Sequence, residues 1–556
     1  MDSKNRIIEG NIVDVGARNI TPGRVIVSEG RILAVETDPT MSGKGMPYVM
    51  PGFVDSHIHI ESTLMVPENY ARLAVANGVV AAVCDPHEIA NVLGMDGIGY
   101  MIGNGKRVRF NFAYMAPSCV PSTPFETAGA SVDAAQIRQL MEMEEIAGLA
   151  EMMNVPGVVY EDKEVMDKLI AAKKSGKPVD GHAPKITGGM LEKYVAAGIS
   201  TDHECSTYEE AREKISLGVW ILIREGSAAC DFESLYQLIK EHPGMTMFCS
   251  DDMYPDDVST IGYINGMVRR AVGKGMPLWD TLECACVTPV RHYGLKCGML
   301  QPGDSADFIV VDDLEHFNIL STYIQGYEVY DAERGVTEDL VADCSRHETE
   351  VLNNFNAAEI SPSALEVRWC DKMLKVIKAK EGSLLTEQLL VVPETDEHGN
   401  VMTDPEKDIA KIVVCDRYDA GAPQVAFISG FGLRCGAMAS TIAHDCHNII
   451  AVGCNDDDLA AAINLLVREK GGIAVCCGNK SECLPLPVAG LMNVLTPEET
   501  ALAHVRIKAM AKEMGCTFNA PFMTMAFMAL PVIPDLKLTD RGLFDGQTFS
   551  FTSLWS

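Results

Sequence analysis

The chain has 556 residues, of which 47% are hydrophobic and 22% charged, and its formal net charge is −31. This length exceeds what one hydrophobic core usually organises, so we expect two or three domains. No stretch concentrates Lys and Arg, which argues against nucleic acid and anionic membrane as partners. The first residues lack an apolar signal core, and no run approaches the roughly 18 apolar residues of a membrane-spanning helix. A cytoplasmic location is therefore expected.

The cysteines do not indicate a disulfide scaffold. The 18 Cys are spread along the chain, and several lie in apolar runs such as VVAAVC and MTMFCS, as buried thiols do. No CxxC pair occurs, which excludes zinc ribbons, thioredoxin-like redox sites and cluster ferredoxins. Any metal that this protein binds is therefore expected not to be held by paired thiolates.

Both flanks of the central region have the alternating pattern of half-buried antiparallel strands. On the N-terminal side it occurs in RIIEGNIVDV and GRVIVSEGRILAVE, and it returns in GDSADFIVVDDL and STYIQGYEVY. These segments predict a small β-domain built from residues 1–50 and 298–357.

Residues 51–297 alternate short apolar strands with helical stretches, a pattern typical of repeated βα units. Eight strands can be assigned in order: YVMPGFVDSHIHIE, VVAAVCDPHEI, VRFNFAYMAPS, GLAEMMN, PVDGHAP, ISTDHEC, WILIREGS and MTMFCSDD. Eight strands close a (β/α)8 TIM barrel, whose chemistry lies at the C-terminal strand ends. The prediction is an α/β fold: this barrel, the small β-domain from both flanks, and an additional C-terminal α/β domain over residues 358–556.

Two histidines on the first barrel strand are candidate metal ligands. His57 and His59 lie two residues apart in VDSHIHIE, so their side chains leave the same face of a strand. This HxH pattern is weak evidence alone, because two partly solvated histidines at a strand edge would look the same. Further ligand-type residues, however, follow the ends of later predicted strands: Glu151, His182, His203 and Asp251.

The spacing of these residues favours one shared site. Successive separations of 31, 21 and 48 residues fit one, one and two βα repeats. Four His and two carboxylates exceed the needs of one tetrahedral ion, so we predict a two-metal site. In it, His57, His59 and Asp251 hold one ion, His182 and His203 hold the other, and Glu151 bridges them. The alternative is a set of unrelated barrel residues, which would place four of the 13 histidines in register by chance.

The motifs resemble a known family. MPGFVDSHIHIEST resembles the first-strand motif of the amidohydrolase superfamily, and the order HxH, carboxylate, His, His, Asp is its binuclear signature. Many members bridge their metals with a carboxylated Lys on the fourth strand, where this chain has Glu151. With CDPHEIANVLG, GLAEMMNVPGV, VDGHAP, STDHE, SDD and HDCHN, the sequence resembles adenine deaminases of the bacterial type over nearly the whole chain.

The resemblance implies hydrolytic deamination of adenine to hypoxanthine and ammonia, by a hydroxide that two divalent ions generate from water. The resemblance favours manganese or iron. Zinc stays the alternative, because His and carboxylate ligands accept all three metals. Asp251 would take the proton of the nucleophile and pass it to the departing amine. Expected partners are adenine, water and further copies of the chain, with a dimer favoured.

Glu204, next to His203, is the candidate proton donor to a ring nitrogen of the purine. Its alternative role is to orient a ligand, because neighbours on a strand point to opposite faces unless the chain turns. His59-Ile60-Glu61 matches the HxE of zinc nucleobase deaminases, but their PCxxC thiolates are absent. Glu61 is therefore expected to support a ligand.

Two other functions stay open from the sequence. The same metals would serve another amidohydrolase reaction, such as hydrolysis of a cyclic amide or deacetylation of an N-acetyl amino sugar. A catalytically silent barrel that binds a nucleobase is the second alternative, although an intact ligand set argues against it.

Two polar clusters have open roles. The first follows the second predicted strand and contains Asp85, His87 and Glu88, where an extra metal, a substrate contact and a polar loop all fit and the loop is favoured. The second fits a separate metal site or a lid over the pocket and contains His444, Asp445, His447 and Asn448. The acidic run at 456–458 is expected to begin a helix, because the Gly and distal Glu of a calcium loop do not follow it.

Overall fold

A computed structural model describes residues 5–342, 351–381 and 383–556. Its first four strands form part of a flanking sheet: β1 (Arg6–Asp14), β2 (Asn19–Ser28), β3 (Arg31–Thr37) and β4 (Tyr48–Pro51). The first three form an antiparallel meander, and β4 runs parallel to β1.

Eight parallel strands follow: β5 (Phe53–Ile58), β6 (Val79–Cys84), β7 (Asn111–Ala116), β8 (Ile146–Met152), β9 (Val179–Gly181), β10 (Thr201–Asp202), β11 (Trp220–Arg224) and β12 (Thr246–Cys249). Strands β5 to β9 pair in order, as do β10 to β12. The Ser200 amide donates to Val179 O at 2.9 Å between β9 and β10, and the Asp251 amide donates to His57 O at 3.0 Å between β12 and β5. The predicted TIM barrel is confirmed.

The barrel strands are buried on both faces, which explains near-continuous apolar sequences such as VVAAVC in β6. The helices of this region are α1 (Pro67–Ala76), α2 (His87–Leu93), α3 (Met95–Gly105), α4 (Ala134–Met141), α5 (Val155–Val159), α6 (Lys163–Ser175), α7 (Gly188–Ala196), α8 (Tyr208–Ser216), α9 (Phe232–Leu235), α10 (Leu238–Glu241), α11 (Pro255–Ile261), α12 (Ile264–Gly273), α13 (Leu278–Leu282) and α14 (Thr288–Tyr293). Local signals set their ends: α6 follows the N-cap Asp162 and stops at Gly176, whose φ is 71°.

The segment YVMPGFVDSHIHIE forms two strands and not the single predicted one. Gly52 separates β4 from β5, and a Cβ atom there would lie 2.3 Å from Val80 Cγ1. Glycine therefore lets the chain pass closely over β6 as it leaves the flanking sheet for the barrel. Strand β5 ends at Ile58, so His59 lies just beyond the strand.

After the barrel the chain returns to the flanking sheet through β13 (Phe308–Val311), β14 (Ile319–Ile324), β15 (Tyr327–Asp331) and β16 (Gly335–Val336). The sheet has the order β16-β15-β14-β13-β4-β1-β2-β3, with β13 antiparallel to β4. One sheet thus contains strands from both sides of the barrel. The domain limits given above stay a prediction.

The C-terminal region is built on an eight-stranded sheet of order β18-β17-β20-β19-β22-β21-β23-β24 and a sheet of β25 to β27. Its strands are β17 (Leu374–Lys380), β18 (Ser383–Val391), β19 (Ala410–Cys415), β20 (Gln424–Ser429), β21 (Ala437–Ser440), β22 (Ile449–Gly453), β23 (Gly472–Cys477), β24 (Lys480–Pro485), β25 (Leu536–Thr539), β26 (Gly542–Asp545) and β27 (Ser550–Phe551). Its helices are α15 (Asp456–Glu469), α16 (Pro497–Glu513) and α17 (Pro521–Ala526). The acidic run at 456–458 begins α15, as expected.

Polar contacts hold the C-terminal region against the barrel. On α16, His504 Nδ1 lies 2.7 Å from Asp256 Oδ1 of α11, and Lys508 Nζ lies 2.7 Å from Asp256 Oδ2. The Asn493 amide donates to Leu64 O at 2.8 Å, close to the end of β5. Every helix within the three described ranges is too short or too polar to cross a bilayer.

Candidate active site

The six predicted metal ligands converge at the C-terminal ends of the barrel strands, beside a cavity of about 500 Å³ that includes space open to solvent. Five of them are buried, and His182 is half-buried. The spacing of one or two βα repeats correctly predicted that these residues lie together, because each of them follows its strand at the same end of the barrel.

The first three ligands surround one point. His57 Nε2 and His59 Nε2 lie 3.2 Å apart, and Asp251 Oδ1 lies 3.5 Å and 3.1 Å from them. Ligand atoms that bind one ion at roughly 2.0–2.2 Å are themselves about 3–4 Å apart. This donor set fits a divalent cation.

Glu151 divides the histidines into two pairs. Its Oε1 lies 3.3 Å from His59 Nε2 and 4.0 Å from His57 Nε2. Its Oε2 lies 2.7 Å from His182 Nδ1 and 3.3 Å from His203 Nε2. A carboxylate with each oxygen facing a different pair has the geometry of a bridge between two ions.

Electrostatics keep Glu151 ionised. Burial opposes the charge on Glu151, but His182 and His203 outweigh it and hold the pKa of the carboxyl well below its usual range. The ionised carboxylate is the form that binds a metal.

Asp251 contacts both the histidines and a guanidinium. Its backbone φ is 56°, a left-handed conformation that is strained for a residue with a side chain. Oδ1 faces His57 and His59, while Oδ2 accepts a hydrogen bond from Arg224 Nη1 at 2.9 Å. Burial alone would raise the pKa of Asp251, but hydrogen bonds from the two histidines and the charge of Arg224 hold it well below its usual range.

Glu204 lies on the same side of the barrel as His203. Strand β10 ends at Asp202, so the alternation of a strand no longer applies and both side chains line the cavity. Glu204 Oε1 is 3.5 Å from His203 Nε2 and 3.7 Å from His182 Nδ1, and it accepts a hydrogen bond from Arg224. Burial opposes its charge, but Arg224, His182 and His203 together outweigh burial and lower the pKa of Glu204, so the side chain is a carboxylate.

Arg224 was missed by the sequence analysis, which used its strand only as a spacer. It ends β11, is buried, and contacts Asp231 Oδ2 at 3.1 Å in addition to Glu204 and Asp251. A signal was present in the sequence, since WILIR ends an apolar strand with a cation that is rarely buried without a partner.

Residues behind the ligands position their loops. Asp202 Oδ1 accepts a hydrogen bond from the Ala183 amide at 2.8 Å, and its Oδ2 accepts one from Lys214 Nζ at 2.9 Å. Burial opposes the charge on Asp202, but Lys214 outweighs it and lowers the pKa. The pair therefore ties together the loops that carry His182 and His203.

Glu61 supports a helix and does not contact the six ligands directly. Its Oε1 accepts a hydrogen bond from the Ile89 amide of α2 at 3.1 Å, and burial raises its pKa to about 7. The interpretation of 85–88 as a polar loop is wrong, because His87 begins α2 and both His87 and Glu88 line the cavity. Apolar strand ends alone did not distinguish a loop from a short helix there.

The C-terminal region completes the cavity. His444 and Asp445 line it, and the ring of His444 stacks on that of Phe527 with centroids 4.4 Å apart. The apolar part of this wall consists of Leu384, Phe527, Leu530 and Ile533. Sequence reasoning missed these four, because single apolar residues in separate segments form no motif.

A parallel barrel with His, Glu and Asp side chains converging at its C-terminal face is the arrangement of an amidohydrolase, and the amidohydrolase family model matches residues 48–329. A second model, the adenine deaminase C-terminal domain, matches residues 383–550. The chain belongs to the adenine deaminase family.

The family assignment rests on relatives of full length. Adenine deaminase from Methanosarcina mazei is 46% identical, covering 98% of this chain and 99% of the relative. Adenine deaminase from Salinibacter ruber is 46% identical, covering 98% of each chain. Among solved structures, β-aspartyl dipeptidase from Fervidobacterium islandicum AW-1 covers 62% of this chain and 100% of its own at 15% identity, with a TM-score of 0.46.

Proposed function

We propose that this protein hydrolyses adenine to hypoxanthine and ammonia at a centre of two divalent ions. The observation that carries the proposal is the position of Glu151 between His57 and His59 on one side and His182 and His203 on the other. The relatives support adenine as the substrate, since full-length proteins that match the chain are adenine deaminases.

When bound, the two ions lower the pKa of a water between them and so supply a nucleophile at neutral pH. Two protons must then leave that water, one for a ring nitrogen of adenine and one for the amine. Two carboxylates at the cavity are available to carry them, Glu204 and Asp251. Both are ionised in the resting protein, because Arg224 and the nearby histidines lower their pKa values.

Glu204 takes the first proton and donates it to N1 as the water oxygen bonds to C6, so the electron pair of the C6–N1 double bond ends on a protonated nitrogen. Asp251 takes the second proton and passes it to the exocyclic nitrogen. The C6–N bond then breaks, ammonia leaves with the bonding electron pair, and hypoxanthine remains. The balance is one water consumed for each ammonia released.

The cavity also suits a flat aromatic substrate. Leu384, Phe527, Leu530 and Ile533 form an apolar part of the cavity wall, and polar residues of the barrel end line the same cavity. A planar base is held well between an apolar wall and a few convergent polar groups.

Three finer features belong to the same proposal. The resemblance to adenine deaminases favours manganese or iron as the metal. Zinc is the alternative, because imidazole and carboxylate ligands accept all three. The protein is expected in the cytoplasm and as a homo-oligomer, with a dimer favoured.

The proposal is tested by assaying purified, metal-loaded protein against adenine, other purines, cyclic amides and N-acetyl amino sugars. We expect equal amounts of ammonia and hypoxanthine from adenine. Turnover of a cyclic amide or an amino sugar in place of adenine would reject the proposal, and binding of adenine with no ammonia would indicate a silent barrel.

A metal experiment accompanies this assay. Chelation should abolish ammonia release, and Mn²⁺ or Fe²⁺ should restore it. Glu151→Gln should bind less metal, and its kcat/KM should fall by more than about 100-fold. Substituting a residue that only supports a metal ligand already costs about 10–100-fold, so the loss of a ligand should cost more. The exposed Glu142→Gln is the matched control and should retain both. Full activity in the chelated protein would contradict the proposal.

A further inference from the structure

A second group of metal-binding side chains lies beside the proposed binuclear centre. His87 and Glu88 begin α2 at the barrel mouth, and His444, Asp445 and His447 come from the C-terminal region. All five are less than 5% exposed. The proposed function gives none of them a role.

The possible ligand atoms of three of these residues lie close together. His87 Nε2 lies 3.5 Å from Glu88 Oε1, and the donor atoms of His87, Glu88 and Asp445 all lie within 4.8 Å of one another. Ligand atoms of one ion are about 3–4.4 Å apart, so these atoms are close enough to share an ion after small side-chain adjustments.

A carboxylate behind His87 sets its tautomer. His87 Nδ1 lies 3.0 Å from Asp85 Oδ2, and a hydrogen bond from Nδ1–H to Asp85 leaves the lone pair of Nε2 facing Glu88. A histidine that binds a metal through one nitrogen typically donates the other N–H to a carboxylate in this way. His87 is therefore arranged as a ligand.

Glu88 is oriented by the other two histidines. Its Oε1 lies 2.7 Å from His444 Nδ1, and its Oε2 contacts His447 Nε2. Asp445 Oδ2 has no hydrogen-bond partner among the residues that the structure describes, and Asp445 is 3% exposed. A buried carboxylate oxygen without a partner is unfavourable unless a cation or another donor satisfies it.

The lining of the cavity is rich in acidic groups. Six carboxyl groups line it, from Glu88, Glu151, Glu204, Asp251, Asp252 and Asp445, beside one guanidinium, that of Arg224, and several histidines. This concentration of carboxyl oxygens suits the binding of cations.

We propose that His87, Glu88 and Asp445 bind a third divalent cation, distinct from the two held by the barrel ligands. His444 and His447 hold the Glu88 carboxylate in position. Imidazole and carboxylate ligands suit Mn²⁺, Fe²⁺ or Zn²⁺. Because Asp445 comes from the C-terminal region and the other two ligands from the barrel, this ion joins the two and fixes the segment 444–447 over the cavity.

The test is metal content, which does not depend on the substrate proposed above. Protein loaded with Mn²⁺ and desalted should hold one ion per chain more than Asp445→Asn treated in the same way. Asp457→Asn, an exposed position on α15, is the matched control and should hold as much as the unaltered chain. Equal metal content in Asp445→Asn and the control would overturn the proposal.

Anomalous diffraction from the unaltered, Mn²⁺-loaded protein gives a second readout that needs no variant. We expect a peak within bonding distance of His87 Nε2, Glu88 and Asp445, separate from any peak at Glu151. A map with peaks at Glu151 but none at Asp445 would show that a proton on His444 balances the charge of Glu88 instead, and would reject the third ion.

Discussion

Arg224 Nη1 lies 2.9 Å from Asp251 Oδ2, and the same nitrogen donates to Glu204 Oε1. One buried guanidinium therefore contacts both carboxylates that are proposed to carry the protons of the attacking water. Since Arg224 is always charged, it keeps both carboxylates ready to accept a proton. The pH dependence of turnover is therefore expected to depend on Arg224, Glu204 and Asp251 together.

Replacing Arg224 with Met should move the acidic limb of the pH profile of kcat/KM to higher pH. The guanidinium lowers the pKa of Glu204 and of Asp251, so its removal raises both, and each carboxylate is neutralised at a higher pH. We also expect a loss of about 10²–10³-fold at neutral pH. Arg334→Met, at an exposed pair with Glu328, is the control and should leave the profile unchanged. An acidic limb that does not move in Arg224→Met would count against these roles.

Lys214→Met should destabilise the fold and weaken metal binding. Lys214 is fully buried between Asp202 and Glu210, and its loss leaves two buried carboxylates without a cation. Breaking a buried pair in this way costs on the order of 3–5 kcal/mol. Because the pKa of Asp202 is lowered, its contribution is present above the unfolded pKa and is lost as the pH falls through the folded value.

Urea unfolding at pH 7 and below pH 4 measures this effect. The difference in unfolding free energy between the wild type and Lys214→Met should be largest at pH 7 and shrink in acid. Lys173→Met on α6, an exposed lysine, should show no difference at either pH. A gap that does not depend on pH would mean that Asp202 is not the titrating partner.

A buried lysine should make stability rise with pH. Lys537 is fully buried and donates to Leu384 O at 2.8 Å and to Phe527 O at 3.0 Å, and burial lowers its pKa from 10.5 to about 7. Between these values the unfolded chain binds a proton that the folded protein does not, so unfolding becomes less favourable as the pH rises.

Lys537→Met should remove this rise, which amounts to about 4 kcal/mol between pH 7 and 10. The measurement is unfolding free energy in urea at several pH values, with the exposed Lys512→Met as the control. Parallel curves for the wild type and Lys537→Met would show that Lys537 keeps its proton when buried.

Phe527→Ala should raise KM for adenine about 10-fold while kcat changes much less. The ring lines the cavity and stacks on His444, which is not itself a proposed metal ligand, so its removal costs apolar contact with the base. Steady-state kinetics check this, and the half-exposed Phe549→Ala is the control. A fall in kcat as large as the rise in KM would place Phe527 in the reaction step and not in binding.

Much of the site could be predicted because it follows strand ends. The buried strands of a parallel barrel are short apolar runs, and a polar residue just after one lies at the mouth whatever the helices between them do. This is why His182 and His203 could be assigned from spacing alone. The same reasoning failed for Arg224. Arginine is not a metal ligand, and its strand was used only as a spacer. Its contacts with Glu204 and Asp251 become visible only when the strands are placed in space.

By itself, the sequence determined the class of fold and the six candidate ligands, because strand period and ligand chemistry are local properties of the chain. Only the tertiary structure decided that Glu204 faces the cavity, that Arg224 joins it to Asp251, and that His444 meets Glu88 across two regions of the molecule. These contacts depend on where β10 stops and on how the C-terminal region docks. Both are set by packing between segments distant in the chain, which no local pattern records.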